Sequence, residues 1–177
     1  FENIKINCVV MKGVNEKQII DLVNFGRENN LIIRFIEYMD VGTINGWKSD
    51  DVVYAEDILK IIEKKYELEA VGPNYFGEVA TRYKFIGGMG EIGIISSVSK
   101  PFCSDCTRAR ITADGNLYTC LFTNKGHDLK SVIREQSFKH LEDFIKNIWI
   151  NRSDQYSQLR ALSQSDKEKV EMYKIGG

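Results

Sequence analysis

The chain has 177 residues, of which 43% are hydrophobic and 28% charged, with two prolines and 14 glycines. This composition is globular: it excludes collagen-like, low-complexity and disordered classes, and the length suits one ordinary domain or parts of two. Lys+Arg of 24 against Asp+Glu of 25 leaves a net charge of −1, so no bulk basic charge marks a nucleic-acid or anionic-membrane binder, and no apolar run approaches the ~20 residues of a membrane span.

In chain order, residues 3–11 read as a largely apolar strand. Residues 16–30 read as a helix with Ile19, Leu22 and Val23 on one face, and Asn15 with Gln18 makes an N-terminal capping box. Residues 31–38 form a second apolar strand, so the first 38 residues make one βαβ unit with parallel strands. A Gly- and Asp-containing loop runs from Asp40 to Asp51, and a second helix spans about 55–65.

After Gly72-Pro73 the pattern changes to short strand-like runs at 80–86, 91–95, 107–112 and 116–120. Asp114-Gly115 between the last two signals a hairpin. Residues 137–150 form an amphipathic helix, with Phe138, Leu141, Ile145 and Ile148 at helical spacing, and the polar stretch from Asn151 reads as a loosely held tail. The expected organisation is therefore an α/β part at 1–71, an antiparallel cysteine-bearing part at 72–150, and a tail at 151–177. One βαβ unit cannot close a barrel, so the first part reads as the end of an α/β domain whose beginning is absent. Phe at position 1, rather than Met, agrees with a piece of a longer protein. No basic stretch leads into an apolar one at the start, so no signal peptide is legible and the expected location is cytoplasmic.

The strongest chemical feature is Cys103-x-x-Cys106 with Cys120 after 13 intervening residues. Three clustered thiols suit a soft metal. Spacing alone leaves three readings open: a zinc site completed by His127, an iron–sulfur cluster with one open iron, or plain buried cysteines. Zinc leads on spacing. Cys8, in the apolar strand, reads as a small buried hydrophobe.

Arg108-Ala109-Arg110 follows the cysteine pair directly; two guanidiniums on one strand face make either a solvated face or an anion site, and the neighbouring cysteines favour the anion site. Lys5 and Arg34 are charges inside apolar strands, and each needs a partner or a ligand. A structural ion pair of Arg34 with Glu37 is one outcome; a polyanion such as a triphosphate is the other. Met39 ends the second strand, where β/α barrels place their active sites, though a lone Met is more often core filler.

The run Pro101-Phe102-Cys103-Ser-Asp-Cys106-Thr-Arg108-Ala-Arg110-Ile-Thr-Ala-Asp114-Gly115-x-Leu117-x-x-Cys120-Leu121 closely resembles the C-terminal cluster motif of the GTP 3′,8-cyclases of molybdenum cofactor biosynthesis, a radical S-adenosylmethionine family. Ile4-Lys5-Ile6-Asn7, Met11-x-Gly13-Val14-Asn15, Arg34-Phe35-Ile36-Glu37-Tyr38-Met39, Val98-Ser99 and Ile175-Gly176-Gly177 resemble the same family, in the same order.

The resemblance implies an incomplete (β/α)6 barrel, present here as its closing section, and a small α+β cap with antiparallel strands. The cap would bind a [4Fe-4S] cluster through Cys103, Cys106 and Cys120, leaving one iron to coordinate the guanine of GTP. Arg108, Ala109 and Arg110 would lie at the GTP, Lys5 and Arg34 would meet its triphosphate, Met39 would contact S-adenosylmethionine, and Gly176-Gly177 would reach the active site and support the rearrangement. The family forms a 5′-deoxyadenosyl radical at a second, N-terminal cluster. That radical removes the ribose 3′-hydrogen, and GTP becomes 3′,8-cyclo-7,8-dihydro-GTP. The next enzyme forms cyclic pyranopterin monophosphate from it.

The family's N-terminal C-x-x-x-C-x-x-C is missing here, because Cys8 stands alone. The expectation is a C-terminal fragment that is inactive by itself and whose unfinished barrel edge favours self-association. Two alternatives carry their own tests. A different radical S-adenosylmethionine enzyme with a cysteine-bearing extension usually has more cysteines. A zinc-binding interaction module would hold one zinc and show no visible absorption.

Overall fold

In the computed structural model, which describes residues 1, 3–135, 137–159 and 170–175, the chain opens strand–helix–strand. β1 (Lys5–Val10) and β2 (Ile32–Glu37) pair in parallel, joined through a short 3-10 turn (Glu16–Gln18) and α1 (Ile19–Glu28). The expected capping box does not form. Asn15 instead turns back to the end of β1, its Oδ1 accepting from the Met11 N–H at 2.8 Å and its Nδ2 donating to the Val9 carbonyl at 2.9 Å. A short polar side chain takes whichever backbone partner is nearer. α1 lies so close to β2 that a Cβ at Gly26 would stand 2.6 Å from Ile33 Cγ1, so only glycine fits there.

α2 (Ala55–Glu63) follows the long loop, and the sheet then continues through β3 (Leu68–Val71), β4 (Thr81–Phe85) and β5 (Glu91–Ile95). The five strands lie in the order β1-β2-β5-β4-β3, with β2 parallel to both β1 and β5, and β4 antiparallel to β5 and β3. The architecture is α/β, and the sheet runs straight through the change of sequence style at residue 72. One sheet face packs on the helices: Val10, Ile33, Phe35, Phe85, Ile92 and Ile94 meet Ile19, Val23, Ile58 and Ile62 in one buried cluster. Period-2 residues from the strands and period-3.6 residues from the helices fill the same layer, which is why this part was readable from pattern.

A second, antiparallel sheet contains β6 (Arg110–Ile111), β7 (Asn116–Tyr118) and β8 (His127–Asp128). The hairpin at Asp114-Gly115 is present: Gly115 has φ +86° and its N–H donates to the Thr112 carbonyl at 2.9 Å. α3 (Leu129–Glu135), α4 (Phe138–Ile150), α5 (Tyr156–Leu159) and a final 3-10 turn (Met172–Ile175) complete the described chain. On α4, Leu141, Ile145 and Ile148 are half-buried, but Phe138 is 82% exposed. Within the stretch expected to be a loosely held tail, the described residue Ile175 is fully buried. No helix among the described residues is long and apolar enough to cross a membrane.

The chain divides into two compact units, Phe1–Met39 with Lys48–Asp105, and Asp40–Trp47 with Cys106–Gly177.

Candidate functional site

In the first unit, strand alternation separates the two faces of the sheet. Ile33, Phe35 and Glu37 are buried on the helix side, whereas Lys5, Asn7 and Val9 are exposed on the other. Arg34 belongs to this open face. The register sets Asn7, Arg34, Gly93 and Arg82 side by side across β1, β2, β5 and β4. Arg34 lies over Gly93, where a Cβ would come within 3.0 Å of its Cγ. Arg82 is committed to Glu91, with Nε to Oε1 at 3.2 Å, and to the Gly72 carbonyl. Arg34 Nε, by contrast, is buried without a hydrogen-bond partner among the described residues.

The ion pair of Arg34 with Glu37 does not form, because an odd spacing along a strand puts the two on opposite faces. Glu37 is completely buried and is satisfied without any cation. Its Oε1 accepts from the Ala55 N–H at 2.7 Å and the Ser99 hydroxyl at 2.6 Å; its Oε2 accepts from the Val98 and Ser99 N–H groups at 2.7 and 2.8 Å. A carboxylate thus caps the N-terminus of α2, where the helix dipole favours negative charge, and fastens the segment after β5. The Ser97 hydroxyl adds a bond to the Glu37 carbonyl at 3.0 Å. Met39 is half-buried just past this junction, at the C-terminal end of β2.

All four cysteines are free thiols and half-buried. Cys8 points to the core side of β1, and burial pushes its thiol up, as a small buried hydrophobe should behave. Cys103 belongs to the first unit; Cys106 and Cys120 belong to the second. Burial pushes the Cys106 thiol up, but hydrogen bonds from Arg152 and Arg108 outweigh it and hold the thiol below its ordinary range. Arg108 Nη2 stands 3.4 Å from Cys106 Sγ, and the Phe122 N–H donates to Cys120 Sγ at 3.5 Å. Arg108 and Ala109 are exposed and precede β6, so the two arginines do not share a strand face; Arg110 begins β6 and is half-buried. Burial and the Arg108 charge lower the Arg110 guanidinium, while Cys106 and Cys120 act in the opposite direction. Two thiols and two guanidiniums therefore share one electrostatic neighbourhood.

Among the described residues no three Cys, His, Asp or Glu side chains are gathered as a metal site. His127, the fourth ligand of the zinc alternative, is exposed on β8 opposite Leu117. The donors nevertheless suit a soft metal or an iron–sulfur cluster: three unbridged thiols, one of them stabilised as thiolate by neighbouring guanidiniums.

Three further residues stand out only in the structure. In the sequence Glu37 reads as an ion-pair partner, although its alternation with Ile33 and Phe35 marks it for the buried face. Arg152 lies in the supposed tail; its Nη1 donates to the Cys106 carbonyl at 2.8 Å and its Nε to Asp154 Oδ2 at 3.1 Å. Its spacing of three from Trp149 at a helix end is the only sequence hint. Glu171 Oε1 accepts from the Thr43 N–H at 2.7 Å, the Thr43 hydroxyl at 2.9 Å and the Ile44 N–H at 3.3 Å, and nothing in a polar stretch distinguishes it beforehand. Gly176 and Gly177 lie outside the described residues.

Residues 31–158 match the family model described as Molybdenum Cofactor Synthesis C. The chain is 46% identical over 177 residues to the GTP 3′,8-cyclase of Xanthomonas campestris pv. campestris (strain B100), covering 100% of this chain and 52% of that protein. It is 44% identical over 186 residues to the GTP 3′,8-cyclase of Acidothermus cellulolyticus, covering 100% and 51%, and 42% identical over 174 residues to that of Aquifex aeolicus, covering 98% and 52%. The chain spans about half the length of the curated relatives it matches.

Proposed function

The chain belongs to the molybdenum cofactor synthesis C family, and on that premise we propose that it is the substrate-binding part of a GTP 3′,8-cyclase, acting in molybdenum cofactor biosynthesis. In this reading the first unit is the closing section of a (β/α)6 barrel. Its open sheet face is the interior, and Lys5 and Arg34 bind the triphosphate. The observation that carries it is Arg34 Nε, a buried donor with no hydrogen-bond partner among the described residues. Such a group costs about 1–3 kcal/mol unless a ligand satisfies it. Gly93 leaves room for the Arg34 side-chain stem to cross the sheet, and Asn7 stands beside Arg34 on the neighbouring strand.

Cys103, Cys106 and Cys120 would hold a [4Fe-4S] cluster. When bound, that cluster supplies an open iron that takes the guanine base. Arg108 and Arg110, with the Ala109 backbone, offer donors to the same nucleotide. A guanidinium already beside the sulfur of a ligand is well placed to meet what that cluster binds. Met39 contacts S-adenosylmethionine, and Gly176-Gly177 supports the rearrangement. The product, 3′,8-cyclo-7,8-dihydro-GTP, passes to the enzyme that forms cyclic pyranopterin monophosphate. The 177 residues contain no C-x-x-x-C-x-x-C, so by themselves they do not generate the radical that removes the ribose 3′-hydrogen. Self-association along β1, the sheet edge on which Ile4 and Val9 are exposed, belongs to the same reading.

The test is GTP affinity of the anaerobically iron- and sulfide-loaded protein. Arg34→Ala is expected to weaken binding about tenfold to a hundredfold, the loss of a charge-assisted contact. Equal affinity would sink the triphosphate role. Supplying a radical-generating N-terminal half should bring 5′-deoxyadenosine formation and GTP turnover that the 177 residues lack alone.

A further inference from the structure

We propose that Arg152 is a positioning residue for Cys106 and that its charge sets how readily a cluster held there is reduced. The inference rests on the reading of Cys103, Cys106 and Cys120 as cluster ligands. The guanidinium is fixed on three sides. Nε donates to Asp154 Oδ2 at 3.1 Å, in an ion pair whose side chains are 11% and 23% exposed. Its plane lies over the Trp149 ring at 4.9 Å. Nη1 donates to the Cys106 carbonyl at 2.8 Å.

A planar fork held at its Nε edge and across its face cannot swing, so its remaining donors stay directed at Cys106. Two arginines thus serve one cysteine, and their settings differ. Arg108, at 3.4 Å from the sulfur, is exposed to solvent. Arg152 is nearly buried and held by Asp154 and Trp149. Of the two, Arg152 is the cation whose charge solvent screens least.

Partners behind a metal ligand commonly change metal affinity about 10–100-fold when removed, and charge and hydrogen bonding around cluster sulfurs set the potential. Arg152 and Asp154 make opposite contributions to the charge near the sulfur. Neutralising Arg152 leaves a carboxylate and disfavours the added electron. Neutralising Asp154 leaves a guanidinium and favours it.

The experiment loads the wild-type chain and the variants Arg152→Gln, Arg152→Lys and Asp154→Asn with iron and sulfide anaerobically. It then measures iron per chain and the reduction potential by spectroscopically monitored titration. Arg152→Gln is expected to shift the potential more negative and to weaken iron retention about tenfold or more. Asp154→Asn is expected to shift it the other way. Arg152→Lys is expected to keep the wild-type potential while losing iron, because the charge stays and the fork is lost. A wild-type chain that takes up no iron overturns the cluster reading and this inference with it. Loaded wild type with Asp154→Asn and Arg152→Gln at one common potential overturns the inference alone. If Arg152→Gln does not fold, Asp154→Asn against wild type decides: a more positive potential supports the inference, and an unchanged one overturns it.

Discussion

Phe35 and Ile175 are both fully buried, yet their surroundings differ. Phe35 sits in a continuous apolar cluster drawn from β1, β2, β4, β5, α1 and α2. Ile175 belongs to a unit in which α4 has no fully buried residue and polar tethers recur. Those tethers are Arg152 to Cys106 and Asp154, Tyr156 to Asp40 at 2.7 Å, and Glu171 to Thr43. The first unit is stabilised mainly by removing apolar surface from water, a non-directional gain. The second relies on directional contacts, each of which depends on geometry and ionisation. Cavity-forming changes should expose the first unit's weakness, whereas acid and charge removal should expose the second's.

The largest expected effect is therefore in the first unit. Phe35→Ala should cost about 3–5 kcal/mol, through lost transfer energy and a residual cavity, read from denaturant unfolding. A loss under about 1 kcal/mol would show that the cluster is loosely packed after all. Next comes Glu37, the polar exception within that apolar unit. Glu37→Gln keeps the shape but turns an NH2 group towards backbone N–H donors, so about 1–3 kcal/mol should be lost. Protection of the Val98 and Ser99 amides against hydrogen exchange should fall with it; unchanged exchange would remove the stapling role.

The smallest effect sharpens the contrast in the second unit. The Thr43 N–H is the main cause holding the Glu171 carboxyl below its ordinary range, with the Thr43 hydroxyl and Ile44 N–H adding to it against desolvation. A carboxyl depressed in the folded state contributes stability that is fully present above its unfolded value and is lost as pH falls through the folded one. Proteolytic protection of residues 170–175 should accordingly be intact near neutral pH and weaken in acid below about pH 4. Glu171→Gln should remove that pH dependence. Gly42→Ala should loosen the segment at every pH, because its φ of +70° suits glycine and an added Cβ would collide with Glu171 Oε2.

The first unit was largely legible because its signals are local and periodic. Apolar runs predicted β1 and β2, and helical spacing predicted α1 and α2. Glu37 is the exception: it lies close to Arg34 in sequence, but the odd spacing puts the two on opposite faces of β2. The second unit was legible mainly as motifs. The Cys103–Cys120 run, the hairpin turn and α4 stand out, whereas β8, α3 and the final turn are short and lack periodicity. Arg152 and Glu171 escaped for one physical reason: each acts on a backbone or carboxylate partner far away in the chain, and no local pattern encodes such a pairing.

The seating of Glu171 against Thr43 spans 128 residues of chain. The second unit is thus assembled from two separated stretches, with Lys48–Asp105 belonging to the other unit. On a ribosome, the βαβ segment and its sheet can collapse as soon as they emerge. The loop at 40–47, by contrast, waits for the 128 residues that separate Thr43 from Glu171 before its partner is made. Long-range closure of this kind is slow to find. Removing the Glu171 carboxylate should therefore be felt in the loop at 40–47 and not only in the turn around residue 172, as a loop left without the partner that closes it.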